Sequence, residues 1–178
     1  MKPEPVQTKS KPARRAAISK DLAIQVFRRD GWICHWCGRP VIFGPALRYL
    51  AQFAKNSGFN ELAYYHPHWT RRDAPLLDYM GAVLDHVKAH RDGGKSDIDN
   101  LVTACCKCNA LKSDAKFQVF QAKLQRHNVK GKYGEPEHWD GLSTLFMVLI
   151  EGNRRMVTST ERDWLRALRG NARAATHI

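Results

Sequence analysis

A carboxylate and an imidazole stand side by side at Asp85 and His86, and two carboxamides follow at Asn100 and Asn109. A neutral imidazole, with an unperturbed pKa of about 6.5, can take a proton from water at neutral pH. Carboxylate and amide oxygens are the ligands that hard divalent cations such as Mg²⁺ prefer. These residue types therefore indicate metal-assisted hydrolysis with His86 as the general base and His90 as a reserve candidate.

Two pairs of thiols have the spacing of a zinc site. Cys34 and Cys37 form one C-x-x-C pair, and Cys105 and Cys108 form another. Four thiolates close the coordination sphere of zinc and leave no position for water, so such a zinc is structural. The remaining cysteine, Cys106, offers an alternative register in place of Cys105. We favour Cys105, because C-x-x-C is the usual zinc knuckle, and thiols used in this way are typical of a reducing compartment.

Taken together, these motifs resemble the HNH (ββα-metal, His-Me finger) endonuclease family, in its branch with a four-cysteine structural zinc. The resemblance covers roughly residues 19–37 and 81–114. It is carried by a C-x-x-C after a basic helix (FRRDGWICHWCGR), the DH pair, the GG loop, N-L-V and C-x-x-C-N. The position after the last cysteine often holds a third histidine in this family. Here it is Asn109, which corresponds to an HNN variant.

The resemblance implies an α+β fold with a ββα-metal nuclease core elaborated by further helices. It also implies that His86 is the general base, and that Asp85 and Asn109 bind one catalytic divalent ion, Mg²⁺ or Mn²⁺. We assign Asn100 to scaffolding, because its amide can bond backbone groups of the loop at residues 91–99 and so fix His86. A backbone carbonyl across the loop is expected to hold the imidazole in one tautomer.

The sequence predicts a first strand over residues 81–90, a second strand over 100–104 and a helix that begins near residue 108 or 109. Adjacent side chains on a flat strand point to opposite faces, whereas Asp85 and His86 must serve one phosphate. A strand end, a strong twist or a bulge is therefore expected between them.

Apolar residues at helical spacing and capping residues predict the other helices. These are a helix from Lys20 to Arg29 capped by Ser19 and ended by Gly31, a helix from Gly44-Pro45 to about Asn56, one or two helices reaching about Arg126, a helix capped by Asp140 and ended by Gly152, and a helix with a Thr158/Glu161 capping box that ends at Gly170.

The chain has 178 residues, of which 43% are hydrophobic, and this fits one domain with small additions. We predict a disordered basic arm over residues 1–17, because prolines interrupt it and basic residues dominate. An HNH nuclease domain is predicted over 18–127, with an insertion at about 41–80, and a C-terminal helical extension packed on the core over 128–178. A run of about 18 apolar residues and an apolar signal core are both absent from the sequence, so a cytoplasmic protein is expected.

The formal net charge of +12 and the pI near 9.8 indicate a polyanionic partner, because neutralising phosphates releases counterions. The candidate nucleic-acid contacts are Arg28, Arg29, Arg71, Arg72, Lys88 and Lys112. An aromatic and basic cluster within residues 64–72 could stack on bases or could simply anchor a loop. The expected partner is DNA, double-stranded or branched; RNA stays open, and so does the oligomeric state.

The leading hypothesis is a divalent-metal-dependent endonuclease that hydrolyses DNA, by nicking or by double-strand cleavage. The alternatives are a zinc-stabilised nucleic-acid-binding module without cleavage activity, and a nuclease directed at RNA. The intact set of Asp85, His86 and Asn109 favours an enzyme over a binding module.

Overall fold

The computed structural model describes residues 17–58, 79–113, 117–132 and 138–175. The basic arm and the aromatic and basic cluster, with Arg71 and Arg72, lie outside the described residues. The helices and strands, in chain order, are α1 (Lys20–Arg29), α2 (Gly44–Asn56), β1 (Ala82–His86), β2 (Leu101–Cys105), α3 (Cys106–Lys112), α4 (Phe117–Gln125), α5 (Ser143–Gly152) and α6 (Ser159–Ala175). Short 3₁₀ turns lie at His90–Asp92 and Arg154–Met156.

The centre of the fold is an antiparallel strand pair followed at once by a helix. β1 pairs with β2 in an unbroken register that runs from Ala82 opposite Cys105 to His86 opposite Leu101. α3 begins directly after β2, so the three elements form the predicted ββα unit and the α+β class is confirmed. β1 ends at His86, four residues before its predicted end, because the chain turns there into the loop that joins the strands.

The start of α3 was predicted near residue 108 or 109, but the helix begins at Cys106. The reason is a sulfur cap. Cys105 has extended backbone angles, and its Sγ accepts a hydrogen bond from the backbone N–H of Cys108 at 3.3 Å. Both cysteines of the second pair therefore lie at the strand-to-helix junction, one on each side of it.

The outer edge of β2 has no strand beside it among the described residues, yet its polar backbone groups have partners. The carbonyl of Leu101 accepts from Arg29 Nη2 at 2.7 Å, and the N–H of Thr103 donates to Asp30 Oδ2 at 2.7 Å. The carbonyl of Thr103 accepts from the N–H of His35 at 2.8 Å. The end of α1 and the first cysteine pair thus take the place of a third strand. They supply hydrogen-bond partners to backbone groups of β2 that could otherwise pair with a strand of another chain.

Two consecutive residues with positive φ reverse the chain after α1. Gly31 has φ +58° and ends the helix region as predicted, whereas Trp32 has φ +56°, which a bulky residue rarely adopts. The ring of Trp32 is buried against Phe27 and Phe43, with ring centroids 5.0 and 5.7 Å away. A Cβ at Gly141 would lie 2.3 Å from the same ring, so this contact requires glycine. Aromatic packing therefore offsets the strained backbone that aims the first cysteine pair.

The C-terminal helices pack into the same core as α1. α6 lies against α1, and α5 lies against α2. Phe43, Phe146 and Trp164 make edge-to-face contacts, with centroids 5.3 Å apart for the first two rings and 5.2 Å between Phe43 and Trp164. Phe146 and Leu168 are fully buried. These apolar contacts hold α1, and through it β2, in place.

The predicted capping box at the start of α6 is present: the N–H of Thr158 donates to Glu161 Oε2 at 2.7 Å, and the N–H of Glu161 donates to Thr158 Oγ1 at 3.3 Å. The predicted end of α6 at Gly170 was wrong, since the helix continues to Ala175. One glycine costs a helix only about 1 kcal/mol, and the alanines and arginines around it are strong helix formers.

Asp140 caps α5 from outside the helix. Its carboxylate accepts from the N–H groups of Leu142 at 2.9 Å and Thr144 at 2.8 Å, whereas the helix itself begins at Ser143. Burial raises the pKa of Asp140, but its hydrogen bonds outweigh that effect and leave the pKa below its ordinary value. The end of α5 at Gly152 is as predicted.

The two ends of the predicted insertion meet. Ile42 pairs with Gly81 in an isolated parallel bridge, and the N–H of Ala82 donates to the Ile42 carbonyl at 2.8 Å. The two ends of the insertion are therefore adjacent, directly before β1, although α2 between them contributes Ala46 and Tyr49 to the core. The domain boundaries themselves stay a prediction. Among the described residues, no helix is both long enough and apolar enough to cross a membrane.

The edge contacts of β2 lead to a stability prediction. Asp30→Ala leaves the N–H of Thr103 without its acceptor and should lower the free energy of unfolding by about 1–3 kcal/mol. Gln25→Ala, an exposed change on the same helix, should alter it by less than about 0.5 kcal/mol. Urea denaturation of the zinc-loaded protein measures both, and equal values for the two variants would contradict the edge role of Asp30.

Candidate metal centre and active site

Four buried sulfurs form a cluster between the end of α1 and the ββα unit. Those of Cys34, Cys37, Cys105 and Cys108 all lie within 4.8 Å of one another, and the sulfurs of Cys37 and Cys105 are 4.0 Å apart. A tetrahedral zinc ion with Zn–S bonds of about 2.3 Å needs sulfurs about 3.8 Å apart. The cluster therefore has the size, the number of ligands and the soft donors of a closed, structural metal site.

The first pair lies in a tight knuckle. The N–H of Cys34 donates to the carbonyl of Arg39, and the N–H of Gly38 donates to the carbonyl of Cys34, each at 2.8 Å. Gly38 has φ +73°, and a Cβ there would lie 2.4 Å from the side chain of Lys130. The turn consequently requires glycine directly after Cys37.

The second pair settles the register that the sequence left open. Cys105 ends β2, Cys108 lies in the first turn of α3, and both point into the cluster. Cys106 is buried but does not belong to the cluster. The preferred register, with Cys105, is therefore the one that brings four cysteines together, and the role of Cys105 as a zinc ligand stays a prediction.

The thiols titrate as a group. Hydrogen bonds with Cys105 and Cys108 lower the pKa of Cys34 to about 7, and the same two partners lower the pKa of Cys37 further. Hydrogen bonds with Cys105, Cys34 and Cys37 raise the pKa of Cys108. The close packing of the four thiols therefore couples their ionisation, and a bound metal ion would take the place of their protons.

The candidate catalytic carboxylate is enclosed by groups that belong to the cysteine module. Asp85 is 9% exposed. Its Oδ2 accepts from the indole N–H of Trp36 at 2.7 Å and from the ammonium of Lys112 at 3.0 Å. Its Oδ1 accepts from the N–H of His86 at 2.8 Å. Trp36 lies between the first two cysteines and Lys112 lies at the end of α3, so the cluster fixes both side chains that hold Asp85.

The candidate base stands at the end of a strand. His86 is the last residue of β1, half-buried, and its Nε2 lies 2.9 Å from Ser96 Oγ. The ring of His90 lies edge-on to it, with centroids 6.4 Å apart. The pairing continues beyond His86, since the N–H of Val87 donates to the carbonyl of Asn100 at 2.9 Å. The unbroken register of β1 and β2 excludes a bulge between Asp85 and His86.

Asn100 closes the loop that faces His86. Its Oδ1 accepts from the N–H of Lys88 at 2.8 Å, and its Nδ2 donates to the carbonyls of Lys88 and Lys95 at 3.1 and 2.8 Å. A Cβ at Gly94 would lie 2.0 Å from the Lys88 carbonyl, so glycine is required where the chain crosses itself. Gly93 has φ +84° and ends the 3₁₀ turn. These contacts fit the scaffolding role assigned to Asn100.

Asn109 lies on α3, half-buried, one turn before Lys112. Residues three apart share a helix face, and Lys112 reaches Asp85 from that face. This spacing places Asn109 on the same face of α3 as Lys112. Its role as an ion ligand stays a prediction.

The predicted nucleic-acid contacts have different surroundings. Arg28 donates to the carbonyl of Leu168 at 3.1 Å, and Arg29 Nη1 donates to the carbonyl of Ile98, so both guanidinium groups hold parts of the fold together. Lys88 is exposed beside the loop. Lys112, in contrast, turns inward to Asp85. Contacts of any of these residues with nucleic acid stay predictions.

Comparison with known proteins adds the family. Residues 73–115 match the family model of the HNH endonuclease. The chain contains an HNH endonuclease domain. The matched segment holds β1, the loop, β2 and α3, and therefore Asp85, His86, Asn100 and Asn109. No curated protein and no solved structure matches the chain.

The match to the HNH domain begins after the first cysteine pair. Cys34 and Cys37 lie outside residues 73–115, and only the fold brings them to the second pair. Members of this family generally hydrolyse nucleic acids, and they use divalent metal ions for it. Nucleic acid is therefore a plausible partner of the HNH domain.

Three contacts at the site were missed by sequence reasoning. The indole of Trp36 and the ammonium of Lys112 hold Asp85, and the hydroxyl of Ser96 lies on the imidazole where a backbone carbonyl was expected. From the sequence, Trp36 was given no role at this site, and Lys112 was assigned to nucleic-acid contact. In the sequence, the only indication for Trp36 and Lys112 was that each lies near a cysteine pair. The only indication for Ser96 was a hydroxyl within the polar loop.

The cysteine cluster leads to a metal-content prediction. We expect about one zinc ion per chain, because four thiolates in a closed site are typical of structural zinc. Cys105→Ser should lose most of this zinc and unfold more readily, since zinc binding and folding are coupled. Cys106→Ser, the matched control, should keep its zinc. Elemental analysis of the purified variants measures this, and the opposite pattern would reverse the assignment.

Proposed function

We propose that this protein is a divalent-metal-dependent endonuclease that hydrolyses DNA phosphodiester bonds, with His86 as the general base and a structural zinc at the cysteine cluster. The observation that carries the proposal is the position of Asp85 and His86 at the end of β1. There the carboxylate meets α3, which bears Asn109, and the imidazole meets the loop that Asn100 closes. The net charge of +12 supports a polyanionic substrate.

The donors near Asp85 fit a hard cation. Its carboxylate and the amide oxygen of Asn109 are the ligand types that Mg²⁺ and Mn²⁺ accept. When bound there, such an ion supplies positive charge to the scissile phosphate and to the leaving oxygen. The chain itself supplies the orientation of the carboxylate, because the Trp36 indole fixes Oδ2 from the zinc knuckle.

His86 takes the proton from the attacking water. Ser96 Oγ, 2.9 Å from Nε2, restricts rotation of the ring, and the Asn100 contacts hold the loop that carries Ser96. A base positioned in this way contributes about 10²–10⁴ to the rate. Proton transfer therefore depends on a loop whose shape is set by Asn100 and by the glycine pair Gly93 and Gly94.

A second candidate function is a zinc-stabilised nucleic-acid-binding module that does not cut. The observation in its favour is that the Lys112 ammonium already compensates the charge of Asp85. Cleavage assays separate the two functions, and matched DNA and RNA substrates separate a DNA nuclease from an RNA nuclease.

The proposal predicts metal-dependent nicking. Supercoiled plasmid should be nicked by the zinc-loaded protein with Mg²⁺ or Mn²⁺, and EDTA should stop the reaction. His86→Ala should lower the single-turnover rate by about 10²–10⁴, because the general base is lost. His127→Ala, which changes a histidine that follows α4, is the matched control and should keep the wild-type rate. Binding without nicking in the wild type would instead support the binding module.

The two asparagines should differ in their metal dependence. Asn109→Ala removes an oxygen ligand and should raise the Mg²⁺ concentration needed for half-maximal cleavage, whereas Asn109→Asp keeps an oxygen and should retain more activity. Asn100→Ala should lower the rate without moving that midpoint, because it loosens the loop. Measuring the cleavage rate over a range of Mg²⁺ concentrations gives the rate and the midpoint for each variant. A midpoint shift in the Asn100 variant alone would make Asn100 the ion ligand and Asn109 the scaffolding residue.

A further inference from the structure

The ammonium of Lys112 is enclosed rather than solvated. The side chains of Lys112 and Asp85 are 15% and 11% exposed, and Nζ lies 3.0 Å from Asp85 Oδ2. Nζ also contacts the carbonyl of His86 and lies 4.8 Å from the centroid of the Trp36 ring. A carboxylate, a carbonyl and an aromatic face thus surround a single positive charge, which is the environment that favours a cation.

The Lys112 ammonium lies beside Asp85 Oδ2, where a divalent ion bound to that oxygen would have to lie. A buried carboxylate requires a compensating charge, and here Lys112 supplies it. Oδ2 already accepts two hydrogen bonds, from the ammonium and from the Trp36 indole. A second cation on the same carboxylate would be strongly repelled by the first at such a short distance in an enclosed site. The lysine stem is flexible, whereas the indole is fixed in the knuckle, so the ammonium is the group that can leave.

We propose that Lys112 is a resident cation at Asp85 that a divalent ion displaces on binding, and that the displaced ammonium then contacts a phosphate of the nucleic acid. The inference rests on the proposed function, in which Asp85 binds the catalytic ion. Its consequence is coupling: a nucleic-acid phosphate that draws Lys112 away from Asp85 raises the affinity for the ion, and the ion raises the affinity for nucleic acid by the same factor.

Calorimetric titration of the zinc-loaded protein with Mn²⁺, without nucleic acid, tests the displacement. Lys112→Met keeps the stem against Trp36 but removes the charge, so Mn²⁺ should bind roughly tenfold tighter or more. Lys112→Gln, a polar variant, should do the same, and Lys112→Arg should bind as weakly as the wild type. Lys107→Met is the matched control on α3, because the ammonium of Lys107 lies 5.4 Å from the ring of Tyr79, and its affinity should change less than twofold.

A second measurement tests the coupling. In a His86→Ala background, which slows cleavage of the DNA, Mn²⁺ should strengthen binding of a short duplex several-fold, as measured by fluorescence anisotropy. Adding Lys112→Met should remove most of this enhancement, because no ammonium is left to move to the phosphate. An undiminished enhancement in the double variant would overturn the coupling.

The outcomes separate the inference from the proposed function. Unchanged or weaker Mn²⁺ binding in both Lys112→Met and Lys112→Gln overturns the resident cation, even if the wild type nicks plasmid in a His86-dependent way. Tighter binding in both variants, with loss of binding in Asp85→Asn, supports it, even if the wild type proves unable to nick. Tighter binding in Lys112→Arg would also overturn it, because that variant keeps the charge.

Discussion

Four sulfurs from two distant segments must meet within a few ångströms, and the rest of the structure depends on this constraint. Cys37 and Cys105 are 68 positions apart in the chain, yet their sulfurs are 4.0 Å apart. Two five-residue strands and a seven-residue helix cannot bury a core by themselves. The cluster therefore replaces a core at the point where the ββα unit joins α1, and the aromatic packing of α5 and α6 stabilises α1 from the other side.

The same constraint organises the chemistry. Trp36 reaches Asp85 only because the knuckle that carries it is folded onto β2, and Lys112 reaches it only because α3 starts inside the cluster. The imidazole of His86 is held differently, by Ser96 on a loop that Asn100 closes. Carboxylate and imidazole are thus adjacent in sequence but supported by two separate parts of the fold.

Local signals explain what the sequence could predict. Cysteine spacing predicted the cluster, caps at Ser19 and Thr158 predicted where helices begin, and the Asn100 amide was expected on the loop backbone. Gly170 misled the prediction because one unfavourable residue is outweighed by its helix-forming neighbours. The partners of Asp85 were beyond reach, because they lie 49 and 27 positions away and no spacing rule encodes such contacts. The start of α3 was missed because a thiolate-forming residue is not an ordinary cap.

The bridge between Ile42 and Gly81 anchors the chain directly before β1. Backbone pairing of Ile42 with Gly81 closes the chain between them into a loop, and closing a loop costs entropy. That entropy grows slowly, by about 0.6 kcal/mol for each doubling of loop length. Since the bridge holds the chain directly before Ala82, the strand that carries Asp85 and His86 is anchored next to Ile42 at an entropic cost that depends only weakly on the length of the chain between the two paired residues.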